Sequence, residues 1–158
     1  MARGNIKVKK IAIIPDAKHQ SVILSKFINH IMQNGKKTVA EKIVYGALDY
    51  AQKQLNTDAI DIFEQALHNV GPILEVKSKR IGGANYQVPV EVSKERKNTL
   101  AMRWIIIAAR AGKGKPMAEK LGLELVGAYN GEGAAIKKKD ETHRMAEANK
   151  AFAHFARF

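Results

Sequence analysis

The chain contains no cysteine, which excludes disulfides, thiolate metal sites and cysteine nucleophiles and suits a reducing compartment. It also lacks any apolar run approaching the roughly 20 residues of a membrane-spanning helix. Its first apolar run, residues 11–14, stops at Pro15, so no secretory signal and no membrane association are expected. Acidic residues are scarce: 15 Asp and Glu stand against 27 Lys and Arg in 158 residues, a formal net charge of +12. Such a surplus repels itself unless a polyanion offsets it. Nucleic acid is the first candidate, because neutralised phosphates release condensed counterions. An acidic membrane surface is the second. At 46% hydrophobic residues the chain can bury a core, so wholesale disorder is excluded. No internal repeat or second core is visible, and residues 1–158 read as one domain.

Reactive constellations are missing as well. The histidines are His19, His30, His68, His143 and His154. His143 and His154 fall on one face of a predicted helix but three turns apart, about 16 Å, too far for one metal with bonds of about 2 Å. Gly112-Lys113-Gly114-Lys115 lacks the earlier glycine and the following Ser or Thr of a phosphate loop and follows a helix, so it reads as a basic linker. Asp140 and Glu141 lie near His143 in sequence but point to different helical faces. No nucleophile, base and orienting group come together. No catalytic residue, metal, cofactor or small-molecule substrate is expected.

The pattern that is present is helical. Residues 1–20 lack periodicity and read as an extended basic tail. Ser21 is a predicted N-cap for a helix with Ile23, Leu24, Phe27, Ile28, Ile31 and Met32 at helical spacing, stopped by Gly35. A second helix starts near Lys36 to Thr38, with Ile43, Val44, Ala47, Leu48 and Ala51 inward. Thr57 is expected to cap a third, with Ile60, Phe63, Leu67 and Val70 inward and Gly71-Pro72 at its end. Short connections favour an antiparallel bundle. Residues 73–92 change to a period of two around Gly82-Gly83, a two-residue hairpin turn that needs the positive φ glycine tolerates. Pro89 cannot donate a ladder hydrogen bond and marks an edge. The charged tip suggests an arm projecting from the bundle. Ser93 opens a fourth helix burying Leu100, Ala101, Trp104, Ile105 and Ala108. A fifth runs from Pro116 with Met117, Leu121 and Leu125 inward and with Gly122 and Gly127 as weak points. A loop near residues 129–133 precedes a last helix from about Lys138 to the end, with Met145, Ala148, Phe152 and Phe155 on one side. The fold class is mainly α: about six helices, a protruding two-stranded β-hairpin and a basic N-terminal tail.

Basic residues cluster at Lys7, Lys9 and Lys10, at Lys36 and Lys37, at Lys77, Lys79 and Arg80, at Lys94, Arg96 and Lys97, at Lys113 and Lys115, and at residues 137–139. Acids gather elsewhere, at Asp49, Asp58, Asp61 and Glu64. Lysines opening a helix oppose its dipole, a placement that makes sense if amides and ammonium groups meet phosphate together. Arg3, Lys26 and Arg103 complete the candidate RNA-binding set. Lysine and arginine on phosphate give affinity without sequence preference, so recognition would rest on the shape of folded RNA, whose A-form major groove is closed to side chains. Tyr86 is placed either to stack on an unpaired base or to pack the root of the ribbon. A DNA-bending protein with a basic β-arm is the first rival; such arms carry an apolar wedge at the tip, where this chain has Gly82-Gly83 beside Arg80. An RNA-modifying enzyme is the second.

Gly35-Lys36-Lys37, followed after five residues by Ile43-Val44-Tyr45-Gly46-Ala47, resembles the signature of the small-subunit ribosomal protein seven family. So do Val76-Lys77-Ser78-Lys79-Arg80-Ile81-Gly82-Gly83, Tyr86-Gln87-Val88-Pro89-Val90-Glu91-Val92, Ala101-Met102-Arg103-Trp104 and His143-Arg144-Met145-Ala146-Glu147-Ala148-Asn149-Lys150-Ala151-Phe152-Ala153-His154. The resemblance runs in order from about Pro15 onward. It implies a helical body with a β-ribbon, binding to the 3′ major domain of small-subunit ribosomal RNA, and an early place in assembly of the subunit head. It also implies that the ribbon and last helix lie near messenger RNA and exit-site transfer RNA, beside the platform protein eleven. Arg80, Gly82, Gly83, Asn85, Tyr86, Arg144 and Lys150 would then be the residues nearest those RNAs. The ribosome implied is cytoplasmic, with a mitochondrial or plastid one as the alternative.

Overall fold

Local signals place most elements where the periodicity predicts them. The computed structural model describes residues 12–157, and the basic segment carrying Arg3, Lys7, Lys9 and Lys10 lies outside them. The order is α1 (Val22–Ile31), α2 (Lys37–Leu55), α3 (Ala59–Val70), β1 (Leu74–Ile81), β2 (Ala84–Glu91), α4 (Lys94–Ala111), α5 (Met117–Tyr129), α6 (Ala134–Ala148) and a 3-10 helix (Lys150–Arg157). The mainly helical fold with one antiparallel hairpin is therefore as expected.

The tail ends earlier than residue 20. Asp16 is 6% exposed and accepts hydrogen bonds from the amides of Lys18 (3.2 Å), His19 (2.8 Å) and Ser21 (2.8 Å) and from the Tyr45 hydroxyl (3.4 Å). Four donors converging on one carboxylate tie residues 16–21 to α2 in a turn, a long-range arrangement that periodicity does not encode. Ser21 caps α1 as expected, its Oγ accepting from the Leu24 amide. The helix closes at Ile31, before the predicted stop. Gly35, with φ +73°, instead shapes the turn into α2. The cap of α3 is Asp58, whose Oδ2 accepts from the Ile60 amide at 3.0 Å, and Thr57 instead bonds back to the Leu55 carbonyl.

The core gathers Leu24, Phe27 and Ile28 of α1, Val44 and Leu48 of α2, Phe63 and Val70 of α3, Ile105 of α4, and Leu121 and Leu125 of α5. Phe27 and Phe63 meet with tilted rings 5.1 Å apart. On α4 Leu100, Ala101 and Ile105 are buried as expected and Met102, Ile106 and Ala109 join them, while Trp104 and Ala108 are only partly covered. Neighbours on both flanks of α4 widen its apolar face. Gly122 is a contact point and not a weak point: a Cβ there would lie 2.7 Å from Tyr50 Cδ1 and 3.0 Å from the Ala47 carbonyl oxygen. Its missing side chain lets α5 approach the α2 backbone. Gly127 sits in the last turn of α5, its carbonyl accepting from the Glu132 amide at 2.7 Å.

Strands β1 and β2 pair from Leu74↔Glu91 to Ile81↔Ala84 across Gly82 and Gly83, which take φ +57° and +91°. Two positive-φ residues are what a two-residue turn between right-twisted strands needs. The last predicted helix is divided. It starts at Ala134, where the Glu124 carboxylate accepts from the Ala135 amide (2.8 Å), and it ends at Ala148. Residues 150–157 are then 3-10 and turn back along β2. Met145 and Ala148 are consequently exposed, and Ala135, Ile136, Thr142 and Ala146 form the buried side. His143 and His154 belong to different elements, so their expected common face does not exist; His143 Nε2 accepts from the Ile73 amide at 3.1 Å.

Candidate nucleic-acid interface

The spacing of α4 produces a row of arginines. Arg96, Arg103 and Arg110 are seven residues apart, two helical turns, and so share a face at intervals of roughly 10 Å. Beside them, Lys26 of α1 and Lys94 of α4 line one shallow groove with His30. Arg110 Nη2 donates to the Ile31 carbonyl at 3.3 Å, which closes the C-terminus of α1 with a cation. Arg110 and Lys36 then line the next groove along. Partial burial, with the Arg103 charge, holds His30 below its ordinary value. Cations thus recur along α1 and α4, with Glu95 the one acid lining the first of these grooves. Arg110 and His30 were absent from the sequence-based set; the seven-residue repeat of arginines was the signal for the first.

Lys36 and Lys37 open α2, which alone among the described α-helices has neither a side-chain cap, nor an acid in its first turn, nor a carboxylate on its amides. Both lysines are exposed. Lys113 and Lys115 flank Gly114 (φ +78°) in the exposed turn between α4 and α5. Lys94 and Lys97 are less clearly placed, because they share a groove with Asp61 and Glu64 of α3.

On the hairpin, alternation and the observed register put Lys77, Lys79, Tyr86 and Val88 on one face and Arg80 and Asn85 on the other. Glu75, 8% exposed, receives Arg96 Nε and Nη2 (both 3.2 Å) and Lys77 Nζ (3.2 Å). It fixes the ribbon's base to α4 and partly neutralises two of the predicted contacts. Of the other predicted cations among the described residues, Lys26, Lys36, Lys37, Lys79, Arg80, Lys94, Lys97, Arg103, Lys113, Lys115, Arg144 and Lys150 are in no ion pair. The ribbon is not bare: Tyr86 packs against Phe152 and Phe155 with ring centroids 5.2 and 5.4 Å away, and Lys79 Nζ donates to the Phe155 carbonyl at 3.0 Å. Arg144 and Lys150 are exposed on α6 and the 3-10 helix, the two elements that contact the ribbon.

Among the described residues no group of three or more His, Asp or Glu is arranged to hold a metal ion, and no helix is long and apolar enough to cross a membrane. A helical body with exposed cations along α1 and α4 and a two-stranded arm is of the class whose surface suits a polyanion. The sequence model of the family Ribosomal protein S7p/S5e matches residues 2–150. The small ribosomal subunit protein uS7 of Chloroflexus aurantiacus is 56% identical over 155 residues, covering 98% of both chains. That of Thermotoga maritima is 54% identical over 149 residues (94% of this chain, 96% of the relative), and that of Xanthobacter autotrophicus 55% over 149 residues with the same coverage. This chain belongs to the S7p/S5e family of ribosomal proteins; it is a structural protein of the ribosome and not an enzyme.

Proposed function

We propose that the protein is a constituent of the small ribosomal subunit that binds the 3′ major domain of its RNA and helps nucleate assembly of the head. The observation that carries this reading is the band of Lys26, Arg103, Arg110 and Lys36 along α1 and α4, cations without carboxylate partners among the described residues. It continues to the uncapped start of α2 and to Lys113 and Lys115. The relatives named above, each a small ribosomal subunit protein, support the same reading. In this arrangement ammonium and guanidinium groups neutralise crowded phosphates and allow RNA helices to approach one another. Arg3, Lys7, Lys9 and Lys10 would extend the contact. Arg80, Asn85 and the Gly82-Gly83 tip, with Tyr86, Arg144 and Lys150, would face messenger RNA and exit-site transfer RNA, with the platform protein eleven alongside. The ribosome would be that of the cytoplasm or of an organelle.

The test is a titration of the protein against the 3′ major domain and a scrambled RNA of equal length at several salt concentrations. A preference for the domain that survives physiological salt is expected. Equal binding to both that vanishes with salt would reject shape-specific recognition.

A further inference from the structure

The sequence of residues 150–157 contains neither glycine nor proline and has three alanines, so nothing within it prevents α6 from continuing. It is nevertheless a 3-10 helix of 8 residues, long for a form seldom sustained beyond three or four. The break is at Asn149, whose side-chain amide donates to the Met145 carbonyl at 2.8 Å and whose backbone leaves the α conformation at φ −100°, ψ 14°. Beyond that break the segment docks on the hairpin. Phe152 and Phe155 pack against the Tyr86 ring with their planes tilted by 57° and 45°, and the Phe155 carbonyl accepts from Lys79 Nζ. Lys79 and Tyr86 are directly opposite each other in the ladder and share a face. The segment thus offers them aromatic rings and an oxygen acceptor, the same two kinds of group that an unpaired nucleotide presents as base and phosphate, although its tilted rings leave the Tyr86 face without a stacked partner. A charged phosphate oxygen is the stronger acceptor for an ammonium than a neutral carbonyl, and the strap's own rings are only half-buried.

We propose that residues 150–157 form a strap that covers a single-stranded nucleotide site, Lys79 and Tyr86, in the free protein and yields it to RNA. The inference rests on the reading that the hairpin faces RNA. On release, α6 continues as one helix and Phe155 moves roughly 9 Å beyond Asn149 along its axis. A site hidden for most of the time binds with an affinity reduced by the open fraction.

The experiment compares the full chain with the Phe152→Ala, Phe155→Ala double variant in binding a short unstructured oligouridine at fixed salt. The double variant should bind about tenfold tighter, the gain for a strap open about a tenth of the time, and adding Tyr86→Ala should remove the gain. Asn149→Ala leaves every docking side chain in place and favours the continuous helix; it should shift affinity in the same direction. Because the chain has no cysteine, spin labels at Gln87→Cys and His154→Cys report the strap directly, and their separation should lengthen when RNA is added. If RNA binds while the labels stay in place and both variants match the parent, the strap is a fixed part of the fold and the inference is overturned. If the parent binds neither the oligouridine nor ribosomal RNA, the RNA-facing reading fails first and takes the strap with it.

Discussion

Gly122→Ala should destabilise the protein, against the gain that replacing a helical glycine ordinarily brings. Alanine in a helix interior is favoured over glycine by about 1 kcal/mol. Here the added Cβ would sit 2.7 Å from Tyr50 Cδ1, 3.1 Å from Tyr50 Cβ and 3.0 Å from the Ala47 carbonyl oxygen. Carbon atoms prefer separations of about 3.5–4.0 Å. The Tyr50 ring can swing, but its Cβ and the Ala47 backbone cannot, so α5 must move off α2 by several tenths of an ångström along the most extensive helix contact in the fold. Overpacking of this kind costs about 1–3 kcal/mol; the rigid Ala47 backbone puts this site toward the upper end, for a net loss of up to about 2 kcal/mol. Gly127→Ala is the control: its Cβ would meet the Glu132 carbonyl oxygen at 3.4 Å, an ordinary contact, and stability should rise by up to about 1 kcal/mol. Urea unfolding with unchanged slope measures both. A Gly122→Ala protein as stable as the parent would refute the argument that close approach of α2 and α5 selects glycine.

The remaining predictions concern charge. Burial opposes ionisation of Asp16, but the amides of His19 and Ser21, the His19 charge and the Lys18 amide outweigh it and hold the carboxyl below 3.8. Its folded value being depressed, its contribution is complete above the unfolded value and is lost as pH falls below about 3.8. Asp16→Ala should cost about 2 kcal/mol at neutral pH by stranding these donors and should remove that part of the acid sensitivity, as denaturant titrations at several pH values would show. Lys36→Glu with Lys37→Glu should weaken binding to the 3′ major domain and reduce the salt slope by roughly one unit per lost phosphate contact; an unchanged slope would place α2's start outside the interface. Since His30 is held below 6.5 by partial burial and by Arg103, phosphate neutralising Arg103 should raise its value, so binding should take up a proton and strengthen as pH falls below the ordinary histidine range. His30→Gln should abolish that pH dependence in isothermal titrations. Glu75→Gln should free Arg96 and Lys77, whose side chains are 44% and 60% exposed, giving tighter RNA binding at a screened stability cost of about 1 kcal/mol or less.

Helical spacing alone determined that six α-helices and one hairpin would form, because apolar periodicity and the Gly82-Gly83 turn are written within a few residues. The same is true of the Ser21 cap, the Gly71 stop and the clustered lysines, and motifs spread along the chain carried the resemblance to its family. Tertiary structure decided what depends on distant partners. Asp16 gathers donors up to 29 residues away, so the tail is shorter than composition suggests. Gly122 packs on a helix about 70 residues earlier in the chain, so a residue that weakens an isolated helix here joins two. Glu75 draws Arg96 and Lys77 into a structural clamp, which separates them from the cations in no ion pair among the described residues. The 3-10 helix shows the difference most clearly: residues 150–157 have the pattern of a continuing α-helix, yet the chain turns at Asn149 and packs on the hairpin, about 70 residues away in sequence, whose Tyr86 ring and Lys79 ammonium group it meets.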